Sequence, residues 1–262
     1  MIVVVPVDPP REGLVLSSLV DETPLSAADA VALYEASVTD VLRAVADSGG
    51  ELLVNYRDEE TLPEEFVGND PSDESGDAEA AVRDLVADAL EDVSVYSGRD
   101  DGDDVRFERQ VGSTRAARIG NTVTHLLERE EAGSVGVLEP TAAPVRRTQI
   151  DSVAMSARRH DLVLGPASEG EVYLAAFTDP IDFTDAYAVP ELATLANRGV
   201  DAGLGVGFAE PVPTVATPAG LRTTIATLEA RGLAGTPGGD ATAAVIEELG
   251  LAVGADGSLE FR

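Results

Sequence analysis

The chain opens on an unbroken apolar run, Ile2-Val3-Val4-Val5, closed by Pro6. So short a run without polar alternation predicts a strand covered on both faces, as in a parallel sheet. Ser26, followed three residues on by Asp29, predicts the boxed start of a long helix. Its apolar positions Ala30, Leu33, Tyr34, Val38, Val41, Leu42 and Val45 recur at helical spacing, and Gly49-Gly50 ends it. Leu52-Leu53-Val54 predicts the next strand. Strand, helix, strand is the unit from which parallel sheets are built.

The middle of the chain breaks this rhythm. Residues 58–77 are acidic and interrupted by Pro63, Gly68, Pro71 and Gly76, which predicts an exposed loop. Ala81, Val82, Leu85, Val86, Ala89 and Leu90 then mark a helix face, residues 93–96 a strand, and residues 99–104 an acidic turn. Alternation resumes with a helix through Ile119, Val123, Leu126 and Leu127, a strand at Val135–Leu138, and a helix through Ile150, Val153, Ala154 and Ala157. Strands follow at Leu162–Leu164 and at Val172–Phe177, the second expected to be antiparallel to a neighbour. Thr217-Pro218 starts a helix with inner positions Leu221, Ile225 and Leu228. A further helix over residues 241–249 and a hairpin turning at Asp256-Gly257 complete the pattern. The sum is an α/β fold with a mostly parallel central sheet flanked by helices. Ligands of such sheets sit at the carboxyl ends of strands, which groups residues 8–13, 139–144 and 166–171 as the rim of a cleft.

Composition narrows the chemistry. Of 262 residues, 48 are acidic and 18 basic, all of the latter arginine, for a formal net charge of −30. Absence of lysine excludes a Schiff-base or P-loop lysine, and absence of cysteine excludes disulfides, thiolate metal sites and cysteine nucleophiles. No apolar stretch is long enough for a signal peptide or a membrane span, and no basic stripe is present to displace counterions from nucleic acid. The expectation is a cytoplasmic protein of a high-salt interior, with neither membrane nor nucleic acid as partner. Acids spread along the whole chain fit a salt-adapted solvated surface better than a local partner-binding acidic face.

Isolated motifs each have a plain alternative. Gly203-Leu204-Gly205-Val206-Gly207 has the glycine content of a phosphate loop without its spacing, and close backbone packing is the simpler reading. Asp100-Asp101-Gly102-Asp103-Asp104 lacks the spacing of a calcium loop and reads as a solvated turn. His125 and His160 stand apart from any triad spacing and read as surface or helix-end residues. Arg11, Arg115 and Arg118 are the side chains that can clamp a phosphate, or else pair with some of the many acids.

Taken together, several segments resemble a known group. They are the run from Pro9 to Leu19, the Ser26 helix with Ala32-Leu33-Tyr34, Gln110-Val111-Gly112 leading to Arg115, Arg118 and Asn121, the run from His160 to Leu174, and residues 214–221. The chain resembles, as a divergent haloarchaeal-type member, an uncharacterised bacterial and archaeal family of glycosyltransferase-A-like proteins. Some of these are described as arsenosugar-type glycosyltransferases, and they are related in fold to 2-phospho-lactate guanylyltransferase. The resemblance covers residues 1–230 loosely, as one nucleotide-diphospho-sugar transferase domain with an acidic insertion near 58–105. Residues 231–262 would be a C-terminal helix and hairpin extension.

The resemblance implies a nucleotide or nucleotide sugar bound by Pro6, Arg11, Gly13, Ser17, Gln110, Arg115 and Arg118. It implies Glu169 in a catalytic place, and Glu139 and Glu169 beside a divalent metal, Mg or Mn. The sequence departs from the family pattern at these points. Leu16-Ser17-Ser18-Leu19 stands for Lys-Thr-Arg-Leu, and Thr141-Ala142-Ala143-Pro144 for a strand-end Asp-Cys-Pro. Glu169-Gly170-Glu171 stands for Asp-Gly-Gly, and Thr214, Ala216, Thr217 and Pro218 for Asp-x-Asp-Thr-Pro. Two functions follow as expectations: a glycosyl- or nucleotidyltransferase-like protein with impaired or altered catalysis, or a non-catalytic nucleotide, metabolite or protein binding module on the same fold. A self-repelling surface is loosened in dilute buffer. The melting temperature should therefore rise between about 0.1 and about 3 M KCl, where screening shortens to a few ångströms, and a flat profile would refute the salt-adapted reading.

Overall fold

A computed structural model describes residues 1–67, 77–93 and 105–262. The expected acidic turn at 99–104, most of the strand at 93–96 and part of the loop at 58–77 lie outside them. Seven strands form the main sheet: β1 (Ile2–Val7), β2 (Glu51–Tyr56), β3 (Arg106–Arg109), β4 (Val135–Leu138), β5 (Leu162–Pro166), β6 (Val172–Phe177) and β7 (Val206–Phe208). Their order is β3-β2-β1-β4-β6-β5-β7. Every pairing is parallel except those of β6, which runs antiparallel to β4 and β5.

The unbroken apolar run at the start has a direct cause. Val3, Val5 and Val7 enter one core and Val4 the other, and β2 repeats this with Leu52, Val54 and Tyr56 against Leu53. Both faces are dry, so neither face demands polar residues. On the first face lie α2 (Ala27–Ala46), α3 (Ala78–Leu90) and α5 (Arg147–Ser156), and on the second α4 (Arg115–Glu128) and α6 (Glu191–Asp201). The start of α2 is boxed as its sequence predicts: Asp29 N–H donates to Ser26 Oγ at 3.2 Å and Ser26 N–H to Asp29 Oδ2 at 2.9 Å. The glycine run at 203–207 leads into β7. A Cβ on Gly207 would lie 2.7 Å from the His160 ring, so tight packing explains that glycine. Three elements escaped the sequence pattern: β3, α6 and the short α1 (Ser17–Glu22).

A third core joins Leu19, Leu25 and Leu33 to α7 (Pro218–Ala234), α8 (Asp240–Leu249) and a hairpin of β8 (Leu251–Val253) and β9 (Leu259–Phe261). Helix α7 runs continuously through residue 230. Helix α8 starts from Gly239 in a left-handed conformation, without a capping side chain of its own. The missing acceptor comes from α2. The buried Asp40 carboxylate accepts the N–H groups of Ala241 at 3.0 Å and Thr242 at 2.8 Å. One carboxylate thus satisfies two orphan donors and places negative charge at the positive helix pole. Asp40→Ala should cost about 1–2 kcal/mol by guanidinium unfolding, the range of a lost cap. Hydrogen exchange should quicken first in α8, and Asp40→Asn should lose less. Unchanged exchange in α8 would show that apolar contacts alone hold it.

Candidate functional site

Neighbouring parallel strands deliver one polar residue each to the same edge of the sheet. Asp8 follows β1, Arg57 follows β2, Gln110 follows β3 and Glu139 follows β4. Asp8, Gln110 and Glu139, with Tyr34, Thr141, Arg115 and Arg118, form the polar lining of a cleft of about 180 Å³ that Pro6 also borders, while Arg57 lies beside Asp8 at 3.6 Å. This is the strand-end position expected for a ligand.

The two arginines arrive on the first turn of α4. Thr114 caps that helix, accepting from Ala117 N–H at 3.1 Å. The approach turn depends on Gly112, whose φ is +140° and whose added Cβ would sit 2.9 Å from Arg118 N. Only glycine lets the turn close on the helix start. Cations at a helix N-terminus oppose the macrodipole, so the fold accepts an electrostatic cost here.

A buried chain of hydrogen bonds fixes Arg118. Its Nε donates to Gln110 Oε1 at 2.7 Å, and Gln110 Nε2 donates to the Asn55 carbonyl at 2.7 Å. Asn55 Oδ1 accepts from Thr122 Oγ1 at 3.2 Å and Asn55 Nδ2 donates to the Glu108 carbonyl at 3.1 Å. Such satisfied networks are rigid. Among the described residues Arg118 has no carboxylate within ion-pair distance. Burial, together with the nearby charges of Arg57 and Arg115, lowers its pKa even though Asp8 counteracts. Asp8 has the mirror problem: burial raises its carboxyl, against the pull of Arg57 at 3.6 Å and of Arg118. Its N–H donates to the Tyr34 hydroxyl at 2.9 Å, and burial, then the Asp8 charge, raise that phenol well above its ordinary value.

Arg115 is held differently. Its Nη2 donates to Glu139 at 2.7 Å and its Nη1 to Glu191, the first residue of α6, also at 2.7 Å. The guanidinium lies 4.7 Å from the Tyr187 ring centroid. Burial works against its charge, yet Glu139 and Glu191 prevail and its pKa is raised. Glu191 does not show the matching fall. Burial of its 8 %-exposed side chain outweighs Arg115 and raises its carboxyl, although its second oxygen accepts from Val172 N–H at 3.3 Å. Glu171, half-buried just before β6, is raised by burial and then by the charges of Glu191 and Glu139.

Of the residues expected at the site, Pro6, Gln110, Arg115, Arg118 and Glu139 line this cleft. Arg11 turns instead to Glu59, at 2.7 Å, and to the carbonyl of Phe66, and Gly13 packs against the Phe66 ring. Ser17 is the exposed first residue of α1, and Glu169 is exposed at φ +57° on the turn between β5 and β6. Asp8, Tyr34, Arg57, Glu171, Tyr187 and Glu191 were not assigned to the site from the sequence, although Tyr34 and Glu171 fall in segments that carry the resemblance. Asp8 and Arg57 had a usable signal, each being the first charged residue after a predicted strand.

Residues that would hold a divalent metal in the cleft do not fit one. Glu139 and Glu191 are bridged by a guanidinium, and Thr141 and Thr214 offer neutral hydroxyls. Among the described residues, one group of three candidate ligands lies within 4.8 Å: Glu108, His125 and Glu130. It flanks Arg106, which forms ion pairs with both glutamates, so its charge is already compensated.

No protein-family model matches the chain, and no curated protein does. Solved structures do. A protein from Desulfovibrio desulfuricans G20, provisionally described as a nucleotide-diphospho-sugar transferase, aligns at TM-score 0.67 and 17% identity over 94% of this chain and 93% of its own. CMP:2-keto-3-deoxy-manno-octonic acid synthetase complexed with CTP aligns at TM-score 0.45 and 12% identity, over 88% of this chain and 98% of its own. A 4-diphosphocytidyl-2C-methyl-D-erythritol synthase from Anaerococcus prevotii DSM 20548 aligns at TM-score 0.45 and 11% identity, over 87% and 97%. The first shows the fold, that of the nucleotide-diphospho-sugar transferases. No helix among the described residues is long and apolar enough to cross a membrane.

A raised carboxyl has a defined pH signature. Below the unfolded pKa both states are protonated and Glu171 costs nothing. Above its raised folded pKa the buried charge opposes folding in full. Glu171→Gln should therefore raise the melting temperature at pH 7–8 but not near pH 4. A gain that did not vary with pH would trace to packing instead.

Proposed function

We propose that the cleft binds the phosphates of a nucleotide or nucleotide sugar, and that the protein is a glycosyl- or nucleotidyltransferase-like member of this fold with altered catalysis. The observation that carries the reading is Arg118. It is half-buried, aimed by a rigid Gln110–Asn55 network, placed at the positive pole of α4 and without a carboxylate partner among the described residues, in a chain where acids far outnumber arginines. A phosphate would supply the missing anion, and an arginine fork at a helix N-terminus matches its geometry. Arg57, 3.6 Å from Asp8, adds positive charge nearby.

In a transfer reaction, charge grows on the departing phosphate or diphosphate oxygens. A preorganised guanidinium stabilises that charge more than it stabilises the bound substrate. Arg118 would take this part. Pro6 and Gln110 would wall the nucleotide side, while Glu169 and Glu171 stand on the turn where an acceptor would enter. The narrower likeness to arsenosugar-type and haloarchaeal proteins and roles for Arg11, Gly13 and Ser17 remain parts of this proposal drawn from sequence likeness, whereas Mg or Mn, which the same likeness implies, is not carried over because the carboxylates concerned already hold a guanidinium. Neutral Thr141 after β4 and neutral Thr214 ahead of α7 favour a second reading, a binding module on the same fold.

CTP and UDP-glucose, each titrated in molar KCl, test the proposal. A ligand at a hundred times its Kd stabilises by about 2.7 kcal/mol, and Arg118→Gln should remove most of the shift while the variant stays folded. If neither nucleotide changes the wild-type melting temperature, phosphate recognition at this cleft is refuted. Product release from UDP-glucose or CTP would separate transferase from binding module.

A further inference from the structure

We infer that Arg115 is the resident cation of the cleft. Its guanidinium occupies the position between carboxylates where a divalent ion would bind, so the cleft takes its anionic ligand without metal, and a metal site lies latent beneath the arginine.

The argument begins with oxygen lone pairs. Glu139 comes from the end of β4 and Glu191 from the start of α6, and an oxygen of each accepts from a different nitrogen of one guanidinium, both at 2.7 Å. A divalent ion needs several such oxygens free at about 2.0–2.6 Å. Oxygens facing the centre of this cluster instead accept N–H groups. The second oxygen of Glu191 is also engaged, by Val172 N–H at 3.3 Å, which fixes the carboxylate toward the arginine.

The second part is charge. Glu139 and Glu191 hold one guanidinium and Glu171 lies near them; the charge of Glu139 disfavours ionisation of both Glu171 and Glu191, and that of Glu191 disfavours ionisation of Glu171. A cation between Glu139 and Glu191 offsets this repulsion, and Arg115 supplies it on a tether, 2.7 Å from each. Tether and Tyr187 ring fix it in place without the dehydration that a hydrated ion must undergo. The side chain is still 42% exposed, so it borders the cleft and contributes to the field at the ligand. Thr214 completes the ring, with its hydroxyl 3.5 Å from Glu171. Neutral hydroxyls suffice where the cation is already present.

This inference does not depend on the ligand being a nucleotide, because its first test uses Mn²⁺ alone. Titrated with Mn²⁺ in KCl and followed by electron paramagnetic resonance and by melting temperature, wild-type protein should show no site in the cleft. Arg115→Ala should leave the glutamates uncompensated. It should melt lower without metal, and gain Mn²⁺ affinity by tenfold or more together with a metal-dependent rise in melting temperature. Arg115→Lys, which keeps a tethered cation, should not gain it. Adding Glu139→Gln and Glu191→Gln to Arg115→Ala should abolish the gain and locate the site. Saturable Mn²⁺ binding by wild type that Glu139→Gln weakens would overturn the inference. So would a folded Arg115→Ala that binds no better than wild type. Should Arg115→Ala not fold, the wild-type Mn²⁺ titration decides, joined by comparison of the CTP shift in EDTA and in Mg²⁺. Equal shifts agree with a built-in cation, and a shift that requires Mg²⁺ refutes it. Absence of any CTP shift would fail the nucleotide reading and leave the Mn²⁺ result standing.

Discussion

Positive charge is the scarce resource of this molecule, and the contact between Arg115 and Glu139 and Glu191 is where it is spent to greatest structural effect. One guanidinium joins the end of β4 to the start of α6, residues far apart in sequence. It lets three acids line a common wall. Without a cation there, their mutual repulsion would act directly on the turn before β6 and on the docking of α6. Breaking such a contact by removing one partner costs far more than the contact contributes, because the remaining charges are left half-buried and uncompensated.

The cleft is then a balance of two arginines with opposite conditions. Arg115 is satisfied by the protein and stabilises the wall. Arg118, three residues further along the same first turn of α4, is positioned by Gln110 but lacks a carboxylate partner among the described residues. Burial raises Asp8 and lowers Arg118, so each carries a charge that its surroundings disfavour. Strained ionisation of this kind gathers at functional sites, since a ligand of the right charge relieves it. The same turn of helix thus supplies both the strut and the handle.

Much of the fold was legible because local patterns were honoured. The Ile2–Val5 run, the Ser26–Asp29 box and the Thr217-Pro218 start each became the element they predict. Strand β3 was not, since Arg-Phe-Glu-Arg at a sheet edge carries little apolar signal. Helix α6 was missed as well, though Leu192, Leu195 and Ala196 repeat at helical spacing. The site was legible only as far as strand ends. With 48 acids available, no spacing rule selects Glu191 as the partner of Arg115 or sends Arg11 to Glu59. Those choices are made by tertiary packing. Gly112 illustrates the same limit, since its need for φ +140° comes from contact with the Arg118 backbone.

The margins of the sheet have a bearing on how copies of the molecule coexist. A strand edge is a ready template for another chain, and strong salt removes the repulsion that keeps acidic surfaces apart while strengthening apolar association. Here one margin, β3, is four residues long and mostly charged, and the other, β7, is only three residues long and ends on the exposed Phe208. Brevity and charge at these two borders would protect against self-templating even in strong salt, where net charge no longer can.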